Sequence, residues 1–193
     1  MTQLYFVRHA QPSYRLGTDS TYALSEEGRQ DRMKAAELLY SVSFDAAVSS
    51  PYRRSIETIR PLIDAQRLSL ETDDRLRERD KGEGSNHHEM FRRRWADFSY
   101  HEKDGECLAD VQTRNMAAVN DILKKYCDKT VLIGTHGTAL STIIHYYDHS
   151  FGFSGFMRII DYMPYVIRFD YEGQTFVGME ELLYVAKEYH GVK

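Results

Sequence analysis

Three separated apolar runs in this chain each end on groups suited to binding or attacking phosphate. Leu4-Tyr5-Phe6-Val7 leads into Arg8-His9, Phe44-Asp45-Ala46-Ala47-Val48 into Ser49-Ser50-Pro51-Tyr52-Arg53-Arg54, and Val131-Leu132-Ile133 into Thr135-His136-Gly137. Short apolar runs bounded by Gly, Pro or Ser read as buried parallel strands, and open α/β sheets bind ligands beyond the carboxyl ends of such strands. The three ends therefore predict one assembled anion site. Arginine suits it because its planar fork binds two phosphate oxygens at once, and a neutral imidazole nitrogen can attack phosphorus.

Positioning such a site requires alternating strands and amphipathic helices, and the pattern supplies them. A crossover helix is predicted over Ser25 to Ser41, capped by Ser25, with Met33, Ala36, Leu39 and Tyr40 near helical spacing. A second is predicted to begin at Pro51 with Ser50 as cap, to run through Ile56, Ile59 and Ile63, and to end or kink at Pro61. The longest, about Glu106 to Tyr126, carries Leu108, Val111, Met116, Val119, Ile122 and Leu123 near one face. Ala139 to Tyr147 reads as a further helix, and the alternating runs Tyr165 to Phe169 and Thr175 to Met179 around Glu172-Gly173 read as an edge hairpin. Between Lys81 and Gly105 polarity rises, marking an insert. Phe91, Trp95 and Phe98 should pack a short helix there onto the main body, leaving Arg92, Arg93 and Arg94 mostly as a solvated face.

The 193 residues suit one domain carrying that insert, about 81–105. The formal net charge of -4 gives no general attraction to nucleic acid, so the arginines must act locally. No apolar stretch approaches the ~18 residues that read as a membrane-spanning helix. A strand-like start without a basic segment and a long apolar run makes the cytoplasm the expected location. Cys107 and Cys127 form no C-x-x-C pair, which argues against a disulfide framework or a thiolate zinc site.

Taken together, these residues resemble the histidine phosphatase superfamily, also called the phosphoglycerate mutase-like family, over most of the chain. Arg8-His9-Ala10 looks like the signature Arg-His, with Ala10 where many members carry Gly. Ser49-Ser50-Pro51-Tyr52-Arg53-Arg54 is similar to the Ser-Ser and Arg segment, with Arg54 as the phosphate-binding Arg. Leu76-Arg77-Glu78 and Gly82 resemble the segment carrying the proton donor, which makes it Glu78, and Thr135-His136-Gly137 resembles the closing motif. Leu24-Ser25-Glu26-Glu27-Gly28 and Gly105-Glu106-Cys107 add support, the family often having Ser in place of Cys107.

The resemblance implies a three-layer α/β/α sandwich with a mostly parallel sheet and a small helical cap, and a site that needs neither metal nor cofactor. His9 would take the phosphoryl group as phosphohistidine, its other ring nitrogen protonated and held by a main-chain carbonyl. Arg8, Arg54 and His136 would meet the charge spread over the transferring oxygens, which fixed donors stabilise without reorganising. Glu78 would protonate the leaving oxygen and then deprotonate water, a double role that calls for partial burial. Glu106 is the alternative acid. Gln11, Arg15 and Gly137 are expected to line the pocket with Arg8, Arg54 and His136, although the mutase branch has Asn at the position of Arg15.

The expected activity is hydrolysis of a small phosphorylated metabolite. Phosphoglycerate mutation is the alternative, and a phospholigand-binding protein without turnover the third. The insert is shorter than the mutase lid and the extended mutase tail is lacking, while Glu78-Arg79 and the Arg92 to Arg94 run look like mutase pocket elements. Other machinery fits less well. There is no G-x-x-x-x-G-K-[ST] loop, and Cys107 and Arg114 have six residues between them where cysteine phosphatases have five. A metal-dependent hydrolase would have to draw on His136, His145 and Asp148, since His87, His88 and His101 read as exposed insert residues.

Overall fold

The opening apolar run becomes β1 (Thr2–Arg8), in which every residue but Gln3 is well buried, in a computed structural model that describes residues 1–187. Such a strand needs cover on both faces. One face carries Tyr5 and Val7, with Ala47 and Leu132 from β2 (Ala46–Ser49) and β4 (Thr130–Thr135), packed by α1 (Glu26–Leu39) and α2 (Arg53–Gln66). The other carries Leu4, Phe6, Val131 and Ile133 beneath α4 (Leu108–Lys125) and α5 (Gly137–Tyr147). The result is the expected three-layer α/β/α sandwich.

The sheet has six strands in the order β3-β2-β4-β1-β5-β6. β3 (Leu70–Thr72), β2, β4 and β1 run parallel. β5 (Tyr162–Glu172) joins β1 antiparallel and is longer at both ends than its alternating run indicated; β6 (Thr175–Ala186) completes the hairpin at the edge, starting where its run does and continuing further. Among the described residues no helix is long and apolar enough to cross a membrane.

Three expectations about helices are corrected. α2 begins at Arg53 with Tyr52 in the cap position, because Ser50 is drawn into other bonds described below. Pro61 neither ends nor breaks α2, which continues to Gln66. A helical proline removes the N–H that would have bonded the carbonyl four residues earlier, and here that carbonyl, on Glu57, accepts from Arg32 Nη1 of α1 at 2.7 Å. Along α1, Ala36 and Leu39 are buried as expected, but Met33 and Tyr40 are exposed, and Ala35 takes the inward place.

Ser25 caps α1, its Oγ accepting from Gly28 N at 2.9 Å. Cys107 does the same for α4, in a reciprocal box with Asp110, and so fills the place of the serine often found there. Within the insert, α3 (His88–Ala96) sets Phe91 and Trp95 against Phe156 of α6 (Phe153–Ile159), a helix that sequence periodicity did not reveal. Arg92 and Arg93 lie on its exposed side. Arg94 departs from the expected solvated face: it is buried, with Nε donating to Glu102 at 2.9 Å.

Candidate active site

Strand register gathers the predicted groups. Arg8 of β1 lies beside Thr135 of β4, and Ser49 of β2 beside Gly134, so Arg8-His9, Thr135-His136 and Ser49-Ser50 leave the sheet at one level. The ladder carries on past the strand ends: His9 N donates to Thr135 O (3.1 Å) and Ser50 N to Gly134 O (3.0 Å). The rings of His9 and His136 meet edge to face with centroids 5.2 Å apart, and Tyr52 packs against the far side of His136 at the same spacing.

His9 Nδ1 lies 2.8 Å from the carbonyl of Ala10. A carbonyl can only accept, so the proton sits on Nδ1 and the lone pair on Nε2. Burial, reinforced by Arg54 and Arg8, holds its pKa well below the usual histidine value, so the ring is neutral at physiological pH. His136 is likewise held neutral, by burial first and then by Arg54, His9 and Arg8. Its Nε2 is 2.8 Å from Ser50 Oγ, which also accepts from Tyr52 N (3.2 Å). His136 Nδ1 is a buried atom without a hydrogen-bond partner. Ser50 thus holds His136 rather than capping a helix.

Arg8 is fixed by carbonyls at the end of α6, donating from Nη1 to Ile159 O (2.5 Å) and from Nη2 to Ile160 O (2.8 Å). Gly137 makes room for it, since a Cβ there would lie 3.0 Å from the guanidinium carbon. Arg54 rises from the first turn of α2 and is 3% exposed. Thr58, one turn on, donates to Arg54 O (2.7 Å) and accepts from Ala10 N (2.9 Å), tying that helix to the chain just past His9. The first free amide of α2 does not point at the site, because Arg53 N donates to Ser20 O at 3.0 Å.

Glu78 follows a 3-10 turn at Asp74–Leu76 and reaches the start of α5. Its side chain accepts from Thr138 N (3.0 Å), Ala139 N (3.2 Å) and Arg79 N (2.8 Å), which fix it at the start of α5. Glu106 is placed differently. Although burial alone would raise its pKa, hydrogen bonds from Arg114, Arg77 and the Asp80 amide hold it at about 2, so it is a poor proton donor. Its role is to brace the segment that carries Glu78.

The remaining sequence candidates part company with the site. Gln11 turns to α1, its Oε1 accepting from Ser25 Oγ (2.9 Å), and its carbonyl approaches Gly28 so closely that a Cβ there would fall 2.1 Å away. Arg15 is exposed on the loop between Pro12 and Leu24. His136 and His145 stand at opposite ends of α5, about 13 Å apart along its axis; His145 is packed by Trp95 and Phe98, with Nδ1 2.8 Å from Phe151 O. The metal triad is not assembled, and among the described residues no group of three His, Cys, Asp or Glu could hold a metal ion. Sequence reasoning missed Ser50 as the partner of His136, Thr58, and Asp19, whose carboxylate sits 3.2 Å from Arg54 Nη2. Thr58 had a weak signal in its four-residue spacing from Arg54; Asp19 had none.

Known proteins resemble this chain in sequence and fold. A probable phosphoglycerate mutase GpmB of Enterobacter sp. (strain 638) is 28% identical over 158 residues, covering 75% of this chain and 74% of that one. Phosphoserine phosphatase 1 of Hydrogenobacter thermophilus is 28% identical over 155 residues, covering 70% and 71%. Among solved structures, Bacillus stearothermophilus YhfR superimposes with a TM-score of 0.75 at 26% identity, covering 98% of this chain and 99% of its own. The family model for the histidine phosphatase superfamily (branch 1) matches residues 4–180. With most of its length inside that match, and relatives named both as phosphatases and as phosphoglycerate mutases, the chain belongs to branch 1 of the histidine phosphatase superfamily.

Proposed function

We propose that the protein is a phosphatase that hydrolyses a small phosphate monoester through a phosphohistidine on His9. The observation that carries this reading is the fixed tautomer of His9, with Nδ1 against the Ala10 carbonyl and a neutral ring. Nε2 attacks phosphorus as the ester bond breaks, and the positive charge that develops on the ring is met by the Ala10 carbonyl. Glu78 gives its proton to the departing oxygen. Water then attacks the phosphohistidine, Glu78 takes its proton, the N–P bond breaks and inorganic phosphate leaves with His9 restored. Arg8, Arg54 and His136 donate to the phosphoryl oxygens throughout.

Arg79 and Arg94 share the buried Glu102, and Arg77 and Arg114 share Glu106, so these four arginines are committed to the fold. Phosphoserine and glucosyl-3-phosphoglycerate, in the names of similar phosphatases, support small phosphorylated metabolites as the class to screen. The test is phosphate release from an aryl phosphate and a metabolite panel with excess chelator, comparing the wild type with His9→Ala. Chelator-resistant release that vanishes in the variant, with an acid-labile phosphoprotein trapped from the wild type alone, is the expected result. Release that survives in His9→Ala would overturn the assignment.

A further inference from the structure

Arg54 is paired with an anion of the protein's own. The loop between Pro12 and Leu24 is closed at its base by the bridge between those two residues and by Ser13 N donating to Ala23 O at 2.8 Å. It is pinned to α2 where Arg53 N donates to Ser20 O. From this loop Asp19 meets the guanidinium twice: Arg54 Nη1 donates to its main-chain carbonyl, and Nη2 pairs with its carboxylate at 3.2 Å. The pair is unequal, because the Arg54 side chain is 4% exposed and that of Asp19 54%. A half-solvated carboxylate gives little net stabilisation to an ion pair and is readily exchanged for another anion. Among the described residues Asp19 is the single carboxylate paired with Arg54, whereas Arg77, Arg79, Arg94 and Arg114 pair with Glu102 and Glu106. His9, Arg8, Arg54 and His136 are all 5% exposed or less.

Resting on the reading of Arg54 as a phosphate donor, we propose that Asp19 is a selectivity residue, an intramolecular anion that competes with the substrate phosphoryl group and with product phosphate for Arg54. A phosphate dianion, with more charge and three acceptor oxygens, displaces it; a singly charged group competes on roughly equal terms. The same competition weakens the hold on inorganic phosphate after hydrolysis and so limits product inhibition. The groups facing the Asp19 carboxylate are Arg54 and Tyr52 at the start of α2, Glu78 and Lys81 from the segment after the 3-10 turn, and Tyr14 from its own loop. Burial raises its pKa against the pull of Arg54, so the competitor is lost by protonation as pH falls.

The experiment is calorimetric titration of inorganic phosphate into the full chain as wild type, Asp19→Asn, Asp19→Glu, Arg54→Ala and the Asp19→Asn/Arg54→Ala double variant, from pH 4 to pH 8. If the competitor holds Arg54 in most molecules, the apparent Kd is raised by the inverse of the free fraction, so Asp19→Asn should bind phosphate roughly 3- to 30-fold tighter at neutral pH. That ratio should shrink toward one as pH falls, Asp19→Glu should stay near the wild type, and the gain should vanish in the double variant. Equal or weaker binding by Asp19→Asn would overturn the proposal alone, showing that Asp19 merely steadies Arg54. Failure of the wild type and Asp19→Asn alike to bind phosphate would overturn the phosphate-site reading along with it.

Discussion

The brace behind Glu78 offers a demanding test of how the site is held. Arg114 donates to the carbonyls of Arg75 (2.7 Å), Arg77 (2.8 Å) and Glu78 (3.1 Å), and to the two oxygens of Glu106 at 2.9 and 3.0 Å. Arg114→Ala strips all five bonds and leaves Glu106 to Arg77 and the Asp80 amide. Removing one partner of a buried ion pair costs ~3–5 kcal/mol. Both side chains here are about one-sixth exposed (15% and 17%) and Arg77 remains, which reduces the expectation to ~2–4 kcal/mol. Linkage gives the same scale: a carboxyl held at about 2 against an ordinary 4.5 is worth ~3 kcal/mol at neutral pH. Because the folded value is the lower one, this contribution is complete above the unfolded value and is lost as pH falls toward 2. Urea unfolding followed through Trp95, the one tryptophan, should therefore show Arg114→Ala destabilised by ~2–4 kcal/mol at pH 7, with a Tm lowered by about 6–12 °C, and the gap should narrow by pH 3. A difference under about 1 kcal/mol at pH 7, or one that is undiminished at pH 3, would refute the reasoning.

Glu78→Gln should slow turnover of alkyl phosphates far more than of nitrophenyl phosphate, since only the poor leaving group needs a proton; equal losses would exclude Glu78 as the acid. Arg54→Ala should raise the barrier by ~2–4 kcal/mol, read as kcat/KM, with Arg54→Lys recovering little of it because a point charge cannot chelate two oxygens; an unchanged rate would mean that Arg54 does not touch the phosphoryl group. The acid limb of kcat/KM should lie below pH 6.5, because the lowered pKa of His9 keeps the nucleophile unprotonated down to that range; a limb above 7 would contradict the burial described for it. Cys107→Ser should leave the melting temperature within a few degrees, since a hydroxyl accepts from the Asp110 amide at least as well as sulfur does.

Arg8, His9, Arg54 and His136 stand out in the sequence because each lies at or near the end of a patterned element, and strand register brings Arg8, His9 and His136 to one level; Glu78, in a mixed charge run, is singled out only through the family resemblance. The burial of Arg94 and the course of α2 through Pro61 could not be read there, since each depends on a partner distant in the chain: Glu102 for the arginine and Arg32 for the proline. Met33 and Tyr40 misled because helical spacing gives a stripe without saying where its edge lies. Ser50 looked like a cap because serine before a proline often is one, and only the arrival of His136 from a strand more than eighty residues later redirected its hydroxyl. Asp19 sits in a segment without periodicity, where pattern gives no information about the groups that a carboxylate will face.

The strand that ends on Arg8, just before His9, is partnered long after it is made. Its two neighbours are β4, which starts about 120 residues after β1 ends, and β5, later still. At synthesis rates of ~5–20 residues per second, β1 spends roughly 6–25 s on the ribosome with both hydrogen-bonding edges unmet and the run Leu4-Tyr5-Phe6-Val7 unburied. Since Arg8 is also anchored by the carbonyls of Ile159 and Ile160, β1 of a nascent chain stays a chaperone-accessible apolar segment until β4 and β5 have emerged, and a chain truncated before residue 159 would keep His9 yet lack the clamp on its neighbouring arginine.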